Sequence, residues 1–280
     1  MNGWIFAAVA VWLGGWALNV WLARRRGRVA RIAPPVVFGL ALLLFWEFIV
    51  RGLAISPVLL PAPSAIVARI AVSGSILRED VFQTFFKGAL GGYAIGCGAA
   101  FLTGLLIDRV DFLRRGLLPI GNFASALPIV GMAPIMVMWF GFDWQSKAAV
   151  VVLMVFFPML VNTVQGLAAS DPIQRDLMRT YAAGHASVLW YLRLPAAAPF
   201  LFNGLKICAT LALIGAIVAE FFGSPTKGMG FRISTEVGRL ALDMVWAEIA
   251  VAALVGSCFY GLVAAIERAA TFWHPTRRSG

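Results

Sequence analysis

A chain of 280 residues that is 61% hydrophobic and only 13% charged has too little polar surface to stay dispersed as a soluble domain. Its apolar runs of roughly twenty residues match a ~30 Å hydrocarbon layer, so the composition is that of an integral membrane protein. The net charge of +10 does not imply nucleic acid, because the basic residues stand in short clusters beside the apolar runs and form no basic-aromatic face.

In chain order the apolar segments fall near residues 3–22, 34–50, 81–107, 117–140, 146–166, 198–222 and 246–270. This is an all-α fold, a polytopic membrane helix bundle of about seven transmembrane helices. The first run has no Lys or Arg before Arg24 and is followed by "RRRGRVAR", so it reads as a membrane span and not a cleaved signal peptide. The basic cluster holds that end in the cytoplasm and puts the amino terminus outside. Alternation from there places fourteen basic residues in inner segments and seven, Lys147 among them, in outer ones, and it leaves the carboxyl terminus cytoplasmic.

Between spans, "LPAPSAIVARI" reads as a short interfacial helix from Ser64. The run 81–107 carries Gly88, Gly92, Gly96, Ala100 and Gly104, a small residue at every fourth position. Such a stripe lets two helix backbones approach closely, either within one subunit or at a seam between subunits. Segment 117–140 contains Pro119, Pro128 and Pro134 and cannot be one straight helix. Broken backbone at membrane depth needs protein or water beside it. Asn122, Ser125, Pro128 and Met132, with Glu220 further on, are therefore the candidate pathway residues.

Residues 168–195 are polar and lie on the inner side. Ser170-Asp171-Pro172 is a helix start, with an Asp cap and a proline whose missing N–H costs nothing there. Leu177, Tyr181, Val188 and Leu192 form an apolar stripe interrupted near Gly184, opposite Arg175, Asp176, Arg179 and His185. Two short helices with a bend are expected. Helices so short need a groove to lie in. Beyond the sixth run, "GSPTKGMGFRISTEVGRLALDMV" opens in a Gly/Pro turn and continues at helical spacing; Gly228 is followed by Met229 and not by Lys, so no nucleotide site is present.

Several stretches together carry a resemblance: "WEF" at Trp46, "LLPAPSAI" at Leu59, "MWFGFDWQSK" at Met138, "FFPMLVNTVQGL" at Phe156 and "LIGAIVAEFFG" at Leu213. From about Leu40 to Arg268 the chain resembles the permease subunit of bacterial ABC importers, in the branch serving nitrate, sulfonate, taurine and vitamin-precursor uptake. That family carries a cytoplasmic loop E-A-A-x3-G-x9-I-x-L-P. Anchored on Leu194-Pro195, its Glu falls on Asp176, its alanines on Leu177 and Met178, its Gly on Ala182 and its Ile on Leu192, with Gly184 two residues late. "DLMRTYAA" in place of "EAARTLGA" resembles the thiamine-pyrimidine-precursor and riboflavin sub-branch, with sulfonate, taurine or nitrate import as the alternative.

The resemblance implies a six-helix permease core plus an extra amino-terminal helix. The organisation would be residues 1–33 as the extra helix and basic linker, 34–80 as the first core helix and outer segment, 81–270 as the core with the loop at 168–195, and 271–280 as a tail. It implies Asp176, Leu177, Arg179, Thr180, Tyr181, Ala182, Gly184, His185, Leu194 and Pro195 as residues coupling to an ATPase. The implied partners are an ABC ATPase that uses ATP and Mg, an external substrate-binding protein and a second copy of the chain, in the bacterial plasma membrane.

No cofactor or metal is expected on this chain. Cys97, Cys208 and Cys258 lie in apolar runs as packing residues, and His185 and His274 lack ligand spacing. A polytopic membrane enzyme or an ion-coupled secondary transporter would need converging ionisable groups. Glu47, Lys206, Glu220 and Glu248 are dispersed in the sequence with no catalytic spacing.

Overall fold

The computed structural model describes residues 2–25, 27–109, 128–223 and 226–272, and the described residues are helical throughout with short connections. Asn122, Ser125, Pro119 and His274 lie outside the described residues. Among the described residues six helices are long and apolar enough to cross a bilayer. The chain forms two compact units, Met1–Leu77 with Ile233–Ala250 and Arg78–Arg232 with Val251–Gly280.

In the first unit, α1 (Asn2–Ala23) and α2 (Arg28–Gly52) form an antiparallel hairpin. Gly15 lies where a Cβ would stand 2.7 Å from that of Ala41, and Gly52 packs under Trp4 and Ile5 at the other end. Trp12 lies against Phe38 and Phe45. Most remaining apolar side chains of both helices are exposed, as a lipid-facing pair requires. Helix α2 starts six residues earlier than hydropathy suggests and runs through Pro34 and Pro35. Glu47 then caps α3 (Pro63–Val72), accepting hydrogen bonds from the Ser64 amide at 2.9 Å and hydroxyl at 2.8 Å as well as from Arg51 Nε at 2.6 Å. Its role is to hold two helices together.

In the second unit, α4 (Gly74–Arg109) and α6 (Trp144–Ala168) run parallel, and α8 (His185–Phe222) returns antiparallel to both. The small residues fix this arrangement. Along α4, a Cβ on Gly92 would stand 2.6 Å from Val151 Cβ and 2.7 Å from the Ala148 carbonyl; Gly88, Gly96 and Gly104 face Lys147, Val155 and Thr163 in the same register. Ala100 is fully buried in the same interface. The stripe is therefore spent within one subunit, and the seam alternative does not describe it. On the opposite flank of α6, Gly166 packs under Ala197 and Phe200, Gly204 under Asn162 and Gly215 under Met154. Cys97 and Cys208 are buried in this core.

Helix α5 (Ile129–Phe140) starts at Pro128 and packs Ala133 and Met136 against Val150 and Ala219. After α8, α9 (Met229–Gly238) and α10 (Leu242–Ala270) are separated by a break at Leu240, whose φ is 59°. Lys206 on α8 pairs with Glu267 on α10 at 2.8 Å. Two further helices begin well before their apolar runs. Helix α4 starts at Gly74 and not Val81 because its polar first turns find partners, as described below. Helix α8 starts at His185 and not Ala198, so the second of the two short helices expected in the loop is the opening of a span. A π-helical turn at Leu189–Arg193 lies just ahead of Pro195, which has no N–H to give.

Candidate functional site

Two polar clusters close the two ends of the α4–α6–α8 packing. The first surrounds Glu220, in the last turn of α8. Its Oε2 accepts from the Thr84 hydroxyl at 2.8 Å and from the Gly230 amide at 2.9 Å, and Lys147 Nζ stands 3.8 Å from Oε1. Thr84 Oγ in turn accepts the Met229 amide at 2.8 Å, and Asp80 accepts the Gly228 amide at 2.7 Å and Arg232 Nε at 2.9 Å. Thr84 belongs to a π-helical stretch, Phe82–Ala89, which re-aims α4 at this point.

Gly228 has a φ of +126°, and the backbone of Gly230 lies so close to the Ile217 carbonyl that no side chain fits between them. Glycine at both positions lets the loop lay three successive amides on buried side-chain oxygens. Lys147, placed above in an outer loop, is instead in α6 with its side chain wholly buried. The Glu220 carboxylate offsets the cost of burying it. Of the other pathway candidates, Pro128 is exposed at the start of α5, and Met132 packs beside Ala133 and Ala219, the neighbour of Glu220.

The second cluster lies at the other end of the same helices, around the segment 168–195. Asp171 Oδ1 accepts the Ile173 amide at 2.9 Å and Pro172 fills the first turn, so α7 (Pro172–Thr180) starts as its sequence dictates. No residue of α7 is buried, and its apolar members project: Ile173 and Tyr181, the residue after its last turn, are each 77% exposed. The Asp176–Arg179 pair is exposed and contributes little to stability. The helix ends in a Schellman motif, with the Ala182 amide on the Arg179 carbonyl at 2.9 Å and the Ala183 amide on that of Met178 at 3.0 Å.

Ala182 carries the left-handed conformation, φ 52°. The bend is thus made by the residue that aligns with the loop pattern's glycine. Gly184, at φ −67° and ψ 161°, is extended and caps the turn at His185. Downstream, Trp190 and Tyr191 are exposed, and Leu194 and Pro195 are half-buried.

Three residues hold this segment in place: Asp108 and Arg193, which sequence reasoning left out, and Arg175, which it placed only on the polar side of the first short helix. Arg193 donates through both Nη atoms to the two carboxylate oxygens of Asp108 at 2.5 Å each, and through Nε to the Leu167 carbonyl at 3.1 Å. Arg175 donates to the Ala168 and Ser170 carbonyls at 2.7 Å each and to Ser170 Oγ at 2.8 Å. The available signal was weak: one acid at the end of the α4 run, and an Arg beside the Leu194-Pro195 pair. The Thr84 hydroxyl and the Glu220 carboxylate meet but are both wholly enclosed, and among the described residues no three His, Cys, Asp or Glu converge as a metal site would require. At this end α7 leaves an apolar helix face uncovered among the described residues.

Residues 92–271 match the family described as the binding-protein-dependent transport system inner membrane component. The chain is 31% identical over 243 residues to the formylaminopyrimidine transport permease protein ThiX of Halalkalibacterium halodurans, covering 85% of this chain and 95% of that one. It is 30% identical to the riboflavin transport system permease protein RibX of Chloroflexus aurantiacus, covering 83% and 87%. Against the taurine transport system permease protein TauC of Escherichia coli the figure is 28%, covering 83% and 86%.

Proposed function

The chain belongs to the family of binding-protein-dependent transport system inner membrane components, the permeases of ABC importers, and from that premise we propose that its cargo is a small heterocyclic vitamin precursor such as a formylaminopyrimidine or riboflavin. As a multi-pass inner-membrane permease it supplies the passage, and ATP hydrolysis belongs to a partner subunit. In this reading α7 is the docking helix for that ATPase, with Leu177, Tyr181 and the bend at Ala182 at the contact. A second copy of the chain completes the pathway, and an external binding protein delivers the cargo. The amino terminus faces outward and the carboxyl terminus the cytoplasm, which puts α7 on the side where ATP is found.

One observation carries the docking role: a well-capped helix of nine residues with none buried and its large apolar side chains projecting. A helix so short does not hold itself in water and leaves no reason for such side chains unless a partner covers them. The vitamin-precursor reading rests on the formylaminopyrimidine and riboflavin relatives; the taurine and sulfonate relatives, at 28% and 27% identity, support a second reading. ATP-dependent uptake by the reconstituted permease, with its ATPase and binding protein, decides between them. Labelled formylaminopyrimidine, riboflavin and taurine are offered in parallel. Uptake of either heterocycle supports the first reading, and uptake of taurine alone replaces it with the second.

A further inference from the structure

Two arginines, Arg175 within the docking helix and Arg193 near the start of α8, are both turned inward. Arg175, in α7 itself, covers the carbonyls of Ala168 and Ser170; Arg193, at the exit of the loop, covers that of Leu167. The last carbonyls of a helix have no intrahelical partner, so these contacts terminate α6 with cations, the sign its carboxyl end favours. Arg193 also grips Asp108 on α4, 85 residues away in sequence, in a fork of two parallel bonds. Both side chains of this pair are about 15% exposed, at 15% and 14%. Screening by salt is weak at such a site, and loss of one partner would strand the other in a poorly solvated position. The π-helical turn at Leu189–Arg193 ends on this same arginine.

We propose that Asp108, Arg175 and Arg193 form a strut that makes α7, the end of α6 and the end of α4 one rigid body, so that displacement of α7 by a partner is passed to both spans. These three are positioning residues: they touch neither the docking face nor any cargo. A flexible polypeptide loop between α6 and α8 would absorb movement of α7. Arg175 ties α7 to the end of α6, and Arg193, in α8, ties that same end to α4; coupling between sites requires an element that moves as a whole. The strut rests on the reading of α7 as the docking helix, and it adds the route by which that contact reaches the membrane.

The test uses the full chain assembled with its ATPase, with spin labels at the exposed positions Leu106 on α4 and Gln174 on α7 in a Cys258→Ser background. Pulsed electron resonance reads the distance between the labels with no nucleotide and with ATP plus vanadate. The strut requires a narrow distribution that is unchanged between the two states in the parent protein. In Asp108→Asn and in Arg193→Lys, which keep shape or charge but lose the fork, the distribution broadens and shifts with nucleotide. ATPase co-purification and basal hydrolysis persist in these variants, while ATP-dependent uptake falls about tenfold, the scale of a lost coupling of this kind.

Exchange of the pair, Asp108→Arg with Arg193→Asp, narrows the distribution again. A parent distance that already shifts with nucleotide, or single variants that stay narrow, overturns the strut. So does loss of ATPase binding in the single variants that the exchange does not restore, since that would make the pair a folding element. Failure of the parent chain to bind any ATPase removes the docking reading itself, and it is seen before any variant is made.

Discussion

The two ends of the α4–α6–α8 packing use charge in opposite ways. Around Glu220 the donors are main-chain amides and a buried lysine, the acceptors are wholly enclosed, and two glycines bring the loop within contact distance. Around Asp108 the donors are arginine forks, the acceptors include the open carbonyls of a helix end, and an uncovered helix stands directly beside them. The first end is closed: its acceptors lie on this chain's own atoms, and Glu220 Oε1, which takes no hydrogen bond, faces the Lys147 ammonium at 3.8 Å. The second is stiff on its inner side and unfinished on its outer side, which is the form expected of a surface that receives a partner. Substitutions at the first end should therefore act on folding, and substitutions at the second on assembly and coupling.

The largest effects belong to the closed end and to the stripe that leads into it. Gly230→Ala places a methyl group against the Ile217 carbonyl, and Gly92→Leu drives a side chain into Ala148 and Val151. Backbone contacts of this kind do not relax by rotamer change, so each should cost several kcal/mol, on the order of the total stability of a domain. The expected result is loss of monodisperse protein in detergent. If Gly92→Leu yields a folded monomer that merely fails to dimerise, the stripe is a seam between subunits after all.

Next comes the buried pair. Lys147→Met leaves Glu220 with its two hydrogen bonds but without the opposite charge, and breaking one partner of a buried pair typically costs about 3–5 kcal/mol. Glu220→Gln added to Lys147→Met should recover part of the loss, because no unpaired charge then remains. Thermal melting of the two variants measures the coupling. Equal stability of the single and double variants would show that the 3.8 Å pair carries no net interaction.

Much of this contrast was legible in the sequence, and the part that was not has a common cause. Hydropathy found the spans because it sums over many residues, and the Asp171-Pro172 cap was legible because capping is a local matter. The small-residue stripe was visible as a period, although its partner helix was not. Helix boundaries failed where polar residues become helical by pairing at a distance: Asp80 with Arg232 and with the Gly228 amide, more than 140 residues along the chain. Lys147 looked like a loop charge because nothing near it in sequence announces Glu220. Asp108 and Arg193 were missed for the same reason. The exposed face of α7 and the Arg175 contacts beside it are local in sequence, whereas the Asp108–Arg193 pair that braces the segment spans 85 residues.

At the open end, Tyr181→Asp should leave the fold unchanged, since the side chain is 77% exposed. In the assembled importer it should bury a charge against the ATPase and weaken the contact by about 2 kcal/mol or more, roughly thirtyfold in affinity. Size-exclusion of the permease alone and co-purification of the ATPase separate the two effects. A variant that unfolds would mean α7 is covered by its own chain; one that keeps the ATPase and full uptake would make the loop a solvated connection.

The smallest effect tests the bend itself. Ala182 holds φ 52° at the position of a Schellman motif that glycine usually occupies, whereas Gly184 sits at an angle any residue adopts. A Cβ in the left-handed region costs about 1 kcal/mol. Ala182→Gly removes that strain but adds freedom to the unfolded chain, so the net gain should be a few tenths of a kcal/mol up to about 1. Gly184→Ala should be neutral or slightly stabilising for the same reason in reverse, as it restricts the unfolded chain at no native cost. Hydrogen exchange of the Ala182 and Ala183 amides reads the local opening directly, because both close the motif. Faster exchange in Ala182→Gly than in Gly184→Ala would place the bend at Gly184, and the alignment of the loop pattern's glycine with Ala182 would then have no structural meaning.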